Sequence, residues 1–288
     1  MTALDGLLAT EPLDLARAML VVARLEYPGL DPGPSLATLD RLGTQAADRL
    51  TRLPDPSARA RVAALNALLF QDEGFAGDRA HYGDFRNSLL NDVLTRRLGI
   101  PITLALVYIE VARRAGFAVQ GVGFPGHFLL RVPGGGDPDA GGDEQALILD
   151  PFNGGAELTD EDCRRLFAEH VGPIHEDLPF DSVLLNPCTP RHMLARMLNN
   201  LKRTYIELRS FPQARAVTDL LLAVDPTLIS EIRDRGLLAY HLDDFPAALR
   251  DLEDYRRLNG WTEGSGTDER DQVWEHIKAL KRRVAGMN

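Results

Sequence analysis

The most continuous apolar segment of the chain predicts a core helix. From Ile100 to Ala115 apolar residues occupy nearly every position, and charged residues occur at only three of them. A helix that is apolar on all sides belongs inside a domain. Pro101 suits the first turn, where its missing N–H costs no hydrogen bond. Gly116 is expected to end the helix in the left-handed conformation.

After Gly116 the pattern changes to short runs that favour strands, at Val119–Phe124, His127–Val132 and Ala146–Asp150. The residues between the last two runs are mostly Gly, Asp and Pro and cannot hold a strand. If those two strands pair antiparallel around that loop, His127 at the start of one lies opposite Asp150 at the end of the other. A histidine and a carboxylate placed in this way can serve as a base and its orienting acid.

Three amphipathic segments precede this region and predict helices at Leu13–Tyr27, Leu36–Leu53 and Ala58–Gln71. Ser57 is a suitable N-cap for the third. Their polar residues suggest no catalytic role, so we expect these helices to pack on the core domain.

The C-terminal part contains an internal repeat. The segment SFPQA begins at Ser210, and the similar segment DFPAA begins at Asp244. This spacing matches the period of about 34 residues that is typical of tetratricopeptide helix pairs. Small residues stand where paired helices of such a repeat cross closely, at Ala214, Gly236 and Ala248. Lys202 occupies a place where a small residue is usual. Because two repeats cannot bury both of their faces, flanking helices are expected to close the stack.

Composition excludes several classes of function. The net charge is −10 without a long block of Lys or Arg, which argues against nucleic acid and anionic membranes as partners. Two cysteines in 288 residues suggest a reducing compartment. With no signal-peptide pattern and no apolar run of membrane-spanning length, we expect a cytoplasmic protein. The sequence lacks HExxH and CxxC motifs, so we expect neither a metal nor a cofactor. Oligomeric state is left open.

Three segments carry a family resemblance: NSLLNDVLTRRLGIPITLALVYIEVARR, GVGFPGHFLLR and LDPFNGG. From about residue 75 to 155 the chain resembles the transglutaminase-like superfamily of papain-like folds, in which a buried helix, a strand with a histidine and a strand with an aspartate follow in this order. More closely, the segments resemble the bacterial SirB family, whose members often carry tetratricopeptide repeats behind the core. The resemblance implies a catalytic cysteine at the start of the buried helix, where the dipole favours a thiolate.

The chain departs from that pattern at the nucleophile. Counting back from Gly116 by the superfamily spacing leads to residues 101–103, where no cysteine occurs. Thr103 offers a hydroxyl, but a hydroxyl has a far higher pKa than a thiol and attacks only if the histidine removes its proton. In the alternative interpretation Thr103 bonds the helix backbone in the first turn.

The polar segment from Asp78 to Asn91 leads into the buried helix, and the resemblance implies that it lines the same cleft. Loops of this kind often carry function. The alternative for Asn87 is that it caps a helix running to Leu98. The residues expected to contact a ligand are His81, Tyr82, Asn87, Asn91, Pro101 and Asn153.

These observations predict an α+β protein. The first domain spans residues 1–185 and includes the N-terminal helices. Its transglutaminase-like core, at about residues 75–155, consists of a buried helix and a small antiparallel sheet. An all-α tetratricopeptide-like domain spans residues 186–288. The leading function is a non-catalytic adaptor, a pseudoenzyme that binds a protein or peptide through its helical tail and its core cleft. The alternative is an acyl-transfer or amide-hydrolysing enzyme that uses the His–Asp pair with Thr103 or an activated water.

Overall fold

The structure, a computed structural model, describes residues 2–134, 146–172, 184–261 and 268–285. The predicted glycine-rich loop between the second and third strands, at 135–145, and most of the loop predicted at 260–269 lie outside the described residues. The helices are α1 (Thr2–Leu8), α2 (Leu15–Val22), α3 (Gly33–Thr51), α4 (Ala58–Asn66), α5 (Leu90–Arg96), α6 (Pro101–Arg114), α7 (Asp160–His170), α8 (Pro190–Glu207), α9 (Phe211–Val224), α10 (Ile229–His241), α11 (Phe245–Leu258) and α12 (Asp268–Ala285). The strands are β1 (Ala76–Gly77), β2 (Leu98–Gly99), β3 (Gln120–Val122), β4 (Leu129–Val132), β5 (Leu147–Asp150) and β6 (Ala156–Leu158).

The chain forms two compact units. Residues 6–197 make one unit, and residues 198–288 with the first five residues make the other. None of the helices in the described part of the chain is long and apolar enough to cross a membrane.

The core helix of the first unit is α6. Eleven of its fourteen residues are buried, which confirms the prediction from its apolar pattern. Gly116 follows it with φ of +71°, a conformation that glycine adopts without steric cost. The amphipathic helices α3 and α5 pack against α6. Ser57 caps α4 as predicted, because its side chain accepts a hydrogen bond from the N–H of Ala60.

A four-stranded antiparallel sheet covers another side of α6. Its strand order is β3-β4-β5-β6, and α6 contacts β3, β4 and the 3-10 turn Pro151–Asn153 that follows β5. The three predicted strands are present but shorter than predicted: β3 has three of the six predicted residues, and β4 begins at Leu129, so His127 lies just before it. The edge strand β6 was not predicted, since its three residues are too few to show an alternating pattern.

The predicted start of the helix that precedes α6 is wrong. The helix expected from Asn87 begins at Leu90 instead, and Asn87 lies in a short 3-10 turn that precedes it. Asn87 is fully buried, so it does not act as an exposed N-cap. Its side chain instead joins the preceding loop to α5, as described below.

The repeat predicted from sequence is visible in the backbone of the second unit. Arg209 and Asp243 occupy equivalent positions one repeat apart, after α8 and α10, and both adopt a left-handed conformation with φ of 56° and 57°. Ala214 and Ala248 are fully buried. A Cβ on Gly236 would lie 3.0 Å from Cγ of Leu252 on α11, which explains why a small residue stands at this crossing.

Lys202, which departs from the repeat pattern, is held by carboxylates. Its ammonium group lies 2.6 Å from Oε2 of Glu231 and 2.8 Å from Oδ2 of Asp234 on α10. Both Lys202 and Glu231 are buried. The long side chain therefore fits because its charge is neutralised across the helix pair.

Candidate functional site

The sheet register brings His127 and Asp150 together, as the order of strands predicts. Leu130 pairs with Leu149, so Asp150 at the end of β5 lies opposite the start of β4, two residues beyond His127. Nε2 of His127 lies 2.9 Å from Oδ1 of Asp150. An ionised carboxylate can only accept a hydrogen bond, so Nε2 carries the proton, and Nδ1 can accept a hydrogen bond when the ring is neutral.

Asp150 is held as a carboxylate by several donors. It is 2% exposed. Its Oδ1 accepts from the N–H of Phe152 at 2.9 Å, and its Oδ2 accepts from Nδ2 of Asn153 at 2.6 Å. Burial acts to raise the pKa of Asp150, but the hydrogen bond and charge of His127, together with these donors, hold that pKa below its usual value. Asp150 is also the N-cap of the 3-10 turn after β5, because its side chain accepts from the N–H groups of Phe152 and Asn153.

The backbone of His127 is fixed by a tight turn. Gly126 has φ of +69°, and a Cβ there would lie 2.4 Å from Cβ of His170. Arg196 on α8 donates hydrogen bonds to the carbonyl oxygens of Phe124 and His127. The turn is therefore closed on one side by α7 and on the other by α8.

Aromatic and cationic side chains surround the pair. The ring of Phe152 is edge-on to His127, with centroids 6.2 Å apart, and to Tyr82, with centroids 5.9 Å apart. The Arg79 guanidinium lies 5.1 Å above the Phe152 ring and donates to Oδ1 of Asn153. Tyr82 is 45% exposed. Of the ligand-contacting residues predicted from sequence, Tyr82 and Asn153 thus lie beside the pair.

Asn87 connects the polar segment to the rest of the domain. Its Nδ2 donates to Oδ2 of Asp78 at 3.2 Å and to the carbonyl oxygen of His81 at 2.8 Å, and its Oδ1 accepts from Arg96 at 3.1 Å. A fully buried side chain with these partners cannot contact a ligand, so we assign Asn87 to the stability of the loop.

The other predicted contacts differ in exposure. His81 is exposed and lies on the same loop as Tyr82. Asn91 is partly exposed, but its Oδ1 is buried and has no hydrogen-bond donor among the described residues. Pro101 is buried in the first turn of α6. We therefore retain His81 as a candidate contact and leave Asn91 and Pro101 out of the proposed site.

The start of α6 offers no accessible nucleophile. Thr103 is fully buried. Its hydroxyl donates to the carbonyl oxygen of Asn87 at 2.6 Å and accepts from the N–H of Ile100 at 3.2 Å. The hydrogen bond from Ile100 fits the alternative interpretation of Thr103 as a residue that satisfies the first turn of the helix, and the one to Asn87 ties the helix start to the preceding 3-10 turn.

Neither cysteine replaces the missing thiol at the start of α6. Cys163 on α7 is buried in an apolar cluster with Val122 and Ile148. Cys188 is half-buried beside β3, where its N–H donates to the carbonyl oxygen of Gly121. Burial raises the pKa of the Cys188 thiol, which makes it a poor nucleophile at neutral pH. Within the described part of the chain, no group of three or more His, Cys, Asp or Glu side chains is arranged to hold a metal ion.

Four residues of this site were not identified from the sequence: Arg79, Phe152, His170 and Arg196. Phe152 follows Asp150 and Pro151 directly, so its position next to the predicted aspartate could have identified it as a site residue. Arg79 lies in the polar segment 78–91 that was expected to line the cleft, although it was not singled out. His170 and Arg196 reach the site from α7 and α8, and nothing in their local patterns marks them.

Comparison with known proteins agrees with this architecture. The model of the transglutaminase-like superfamily matches residues 34–199, and a tetratricopeptide repeat model matches residues 201–280. A UPF0162 protein of Xylella fastidiosa (strain Temecula1) is 38% identical over 250 residues, which cover 86% of this chain and 85% of the relative.

Two further relatives differ in how much of their length is matched. Protein SirB1 of Salmonella typhimurium is 27% identical over 215 residues, covering 74% of this chain and 75% of that protein. F-box only protein 21 of Homo sapiens is 32% identical over 187 residues, which are 64% of this chain but 28% of that protein. The chain belongs to the transglutaminase-like superfamily, in the group that contains the UPF0162 and SirB proteins, and carries a C-terminal tetratricopeptide repeat.

Proposed function

We propose that this protein is a non-catalytic adaptor whose transglutaminase-like core binds a peptide or small ligand and whose helical tail binds a partner protein. The observation that carries the proposal is the start of α6. The positions where the superfamily places its nucleophile hold Pro101, Ile102 and Thr103, all buried, and the Thr103 hydroxyl is already engaged in two hydrogen bonds. Acyl transfer through a covalent intermediate needs a nucleophile within reach of the base.

The His127–Asp150 pair in this proposal serves recognition. The pair is nearly buried, with 9% of the His127 side chain exposed, and more exposed groups lie next to it on Tyr82 and Arg79. Nδ1 of His127 can accept a hydrogen bond, whereas Arg79 and Tyr82 can donate. Such a surface suits a ligand with both amide and carbonyl groups, which is the chemistry of a peptide backbone.

The tail is the second binding element of the proposal. Tetratricopeptide repeats generally bind other proteins, and this chain carries them at residues 201–280. We propose the functional division predicted from the sequence, with a core domain of residues 1–185 and a partner-binding domain of residues 186–288; the compact units divide later, after residue 197, so the start of α8 packs with the core. We also propose a cytoplasmic location on the basis of the cysteine content.

The geometry of the pair also favours one alternative, an amide hydrolase that uses activated water. A neutral histidine oriented by a carboxylate is a competent general base, and Nδ1 is the atom that would remove a proton from water. In this alternative Thr103 has no part in the chemistry.

Turnover measurements separate the two functions. The purified protein is incubated with a glutamine-containing peptide and a primary amine, and ammonia release and amine incorporation are followed. We expect the parent, the Thr103→Ala and His127→Ala variants, and the matched control His192→Ala, which alters an exposed histidine on α8, all to give the rate without protein. Activity that His127→Ala abolishes and His192→Ala retains would establish an enzyme instead.

A further inference from the structure

We propose that the second unit contains a pocket for an acidic side chain of the partner protein. An apolar side chain of the same partner would pack beside it. This inference rests on the proposed adaptor function and assigns a chemistry to the partner. The pocket is a cavity of about 720 Å³ between α11 and α12. It is lined by Glu253, Asp254, Arg256, Arg257, Gly260, Trp261 and Trp274.

Two hydrogen-bond donors of the lining lack acceptors. The Arg256 guanidinium lies 5.0 Å from the centroid of the Trp274 ring. Nε of Arg256 and Nε1 of Trp274 are both buried, and neither has a hydrogen-bond acceptor among the residues that the structure describes. Buried donors of native proteins are nearly always paired, so a pair of unpartnered donors on one lining calls for an acceptor from outside.

The charges of the lining make that acceptor an anion. Glu253 pairs with Lys281 at 2.9 Å, and Asp254 pairs with Arg257 at 2.7 Å. Arg256 has no carboxylate at ion-pair distance within the described ranges. The carboxylates of the lining are therefore neutralised, and the charge of Arg256 is not.

A carboxylate on a peptide fits these features better than a polyanion. A carboxylate has two oxygens that can accept from these two donors, and a charged acceptor strengthens both hydrogen bonds. The indole rings of Trp261 and Trp274 offer apolar surface beside that position, which suits a neighbouring aliphatic side chain. The net charge of −10 opposes nucleic acid, whose binding depends on many cationic contacts.

Intrinsic fluorescence tests the pocket directly, because Trp261 and Trp274 are the chain's only two tryptophans. The full-length protein is titrated with a short end-capped peptide of alternating glutamate and leucine, and with the same peptide carrying glutamine in place of each glutamate. We expect a saturable change with the first peptide and none with the second. An equal response to both peptides, no response to either, or an equal response to inorganic phosphate would overturn the inference.

Variants identify the residues that bind. Arg256→Gln is expected to weaken binding about tenfold, the effect of losing one charge-assisted hydrogen bond. Trp274→Phe keeps an aromatic ring but loses the indole N–H donor. We expect a similar loss of affinity for the acidic peptide, measured by the fluorescence of the remaining Trp261. Arg250→Gln, the matched control, lies on the same helix outside the lining of the pocket. It should change the affinity by less than about twofold, since Arg250 is exposed and already lies 3.8 Å from Oδ1 of Asp251.

The outcome for the pocket is separable from the outcome for the adaptor function. Circular dichroism of each variant shows whether the fold is retained. If Arg256→Gln retains its fold and binds as well as the parent, the pocket assignment is wrong. That result, together with the absence of turnover in the amide assay, would overturn the acidic-peptide inference and leave the non-catalytic core standing.

Discussion

Replacing Asp150 by alanine is expected to lower the free energy of unfolding by about 3–5 kcal/mol, because each buried hydrogen-bond donor that loses its acceptor costs about 1–3 kcal/mol. The variant leaves Nε2 of His127, the N–H of Phe152 and Nδ2 of Asn153 without their acceptor. Chemical denaturation followed by circular dichroism measures the effect. Glu157→Ala is the matched control: this carboxylate lies on the neighbouring strand β6 and pairs at the surface with Arg59, so its loss should cost at most about 1 kcal/mol.

The His127–Asp150 pair also predicts how the stability difference between the parent and Asp150→Ala depends on pH. Because the folded-state pKa of Asp150 lies below its usual value of 3.8, its ionised form stabilises the folded protein above that value. The contribution is lost as the pH falls through the lower, folded-state pKa. The stability difference between parent and Asp150→Ala should therefore shrink on the acid side of pH 4 and stay constant near neutrality. A small difference at neutral pH, or one that grows in acid, would contradict the assignment of Asp150 as a buried carboxylate.

The second large effect is expected at Lys202. Lys202→Met removes the cation that neutralises Glu231, which is buried, and Asp234. An uncompensated buried carboxylate typically costs about 3–5 kcal/mol of stability. Thermal or chemical unfolding of the full chain, followed by far-ultraviolet circular dichroism, measures the loss in the second unit.

The neighbouring residue provides the control for this prediction. Arg203 is exposed and pairs with Glu207 one turn along the same helix at 3.6 Å. Arg203→Met should change stability by about 0.5 kcal/mol or less. Adding Glu231→Gln to Lys202→Met should recover part of the loss, because the amide carries no charge. Equal melting of the parent and Lys202→Met would show that the buried pair does not stabilise the repeat.

The sequence predicted those features that depend on long patterns or on strand order. The all-round apolar helix α6 and the period of the C-terminal repeat each span many positions, so single exceptions such as Lys202 do not hide them. The meeting of His127 and Asp150 follows from antiparallel pairing alone, since the start of one strand must lie opposite the end of the next.

The sequence did not predict contacts that are made across distant elements. Arg196 reaches the carbonyl oxygen of His127 from a helix 69 residues later in the chain. The role of Asn87 depends on Asp78 and Arg96 and not on helix capping, so its residue type suggested the wrong interaction. Short elements such as β6 form because a neighbouring strand offers hydrogen bonds, and a pattern of three residues carries little information.

The central claim is that the core lacks a nucleophile activated by His127, and intact-protein mass spectrometry tests it most directly. The parent and His127→Ala are exposed to an activated acyl ester at neutral pH, and acyl groups bound to the protein are measured over time. We predict the same slow acylation in both proteins, as expected for exposed lysines alone. Rapid acylation of a single residue in the parent that is lost in His127→Ala would contradict the account and identify the nucleophile of an enzyme.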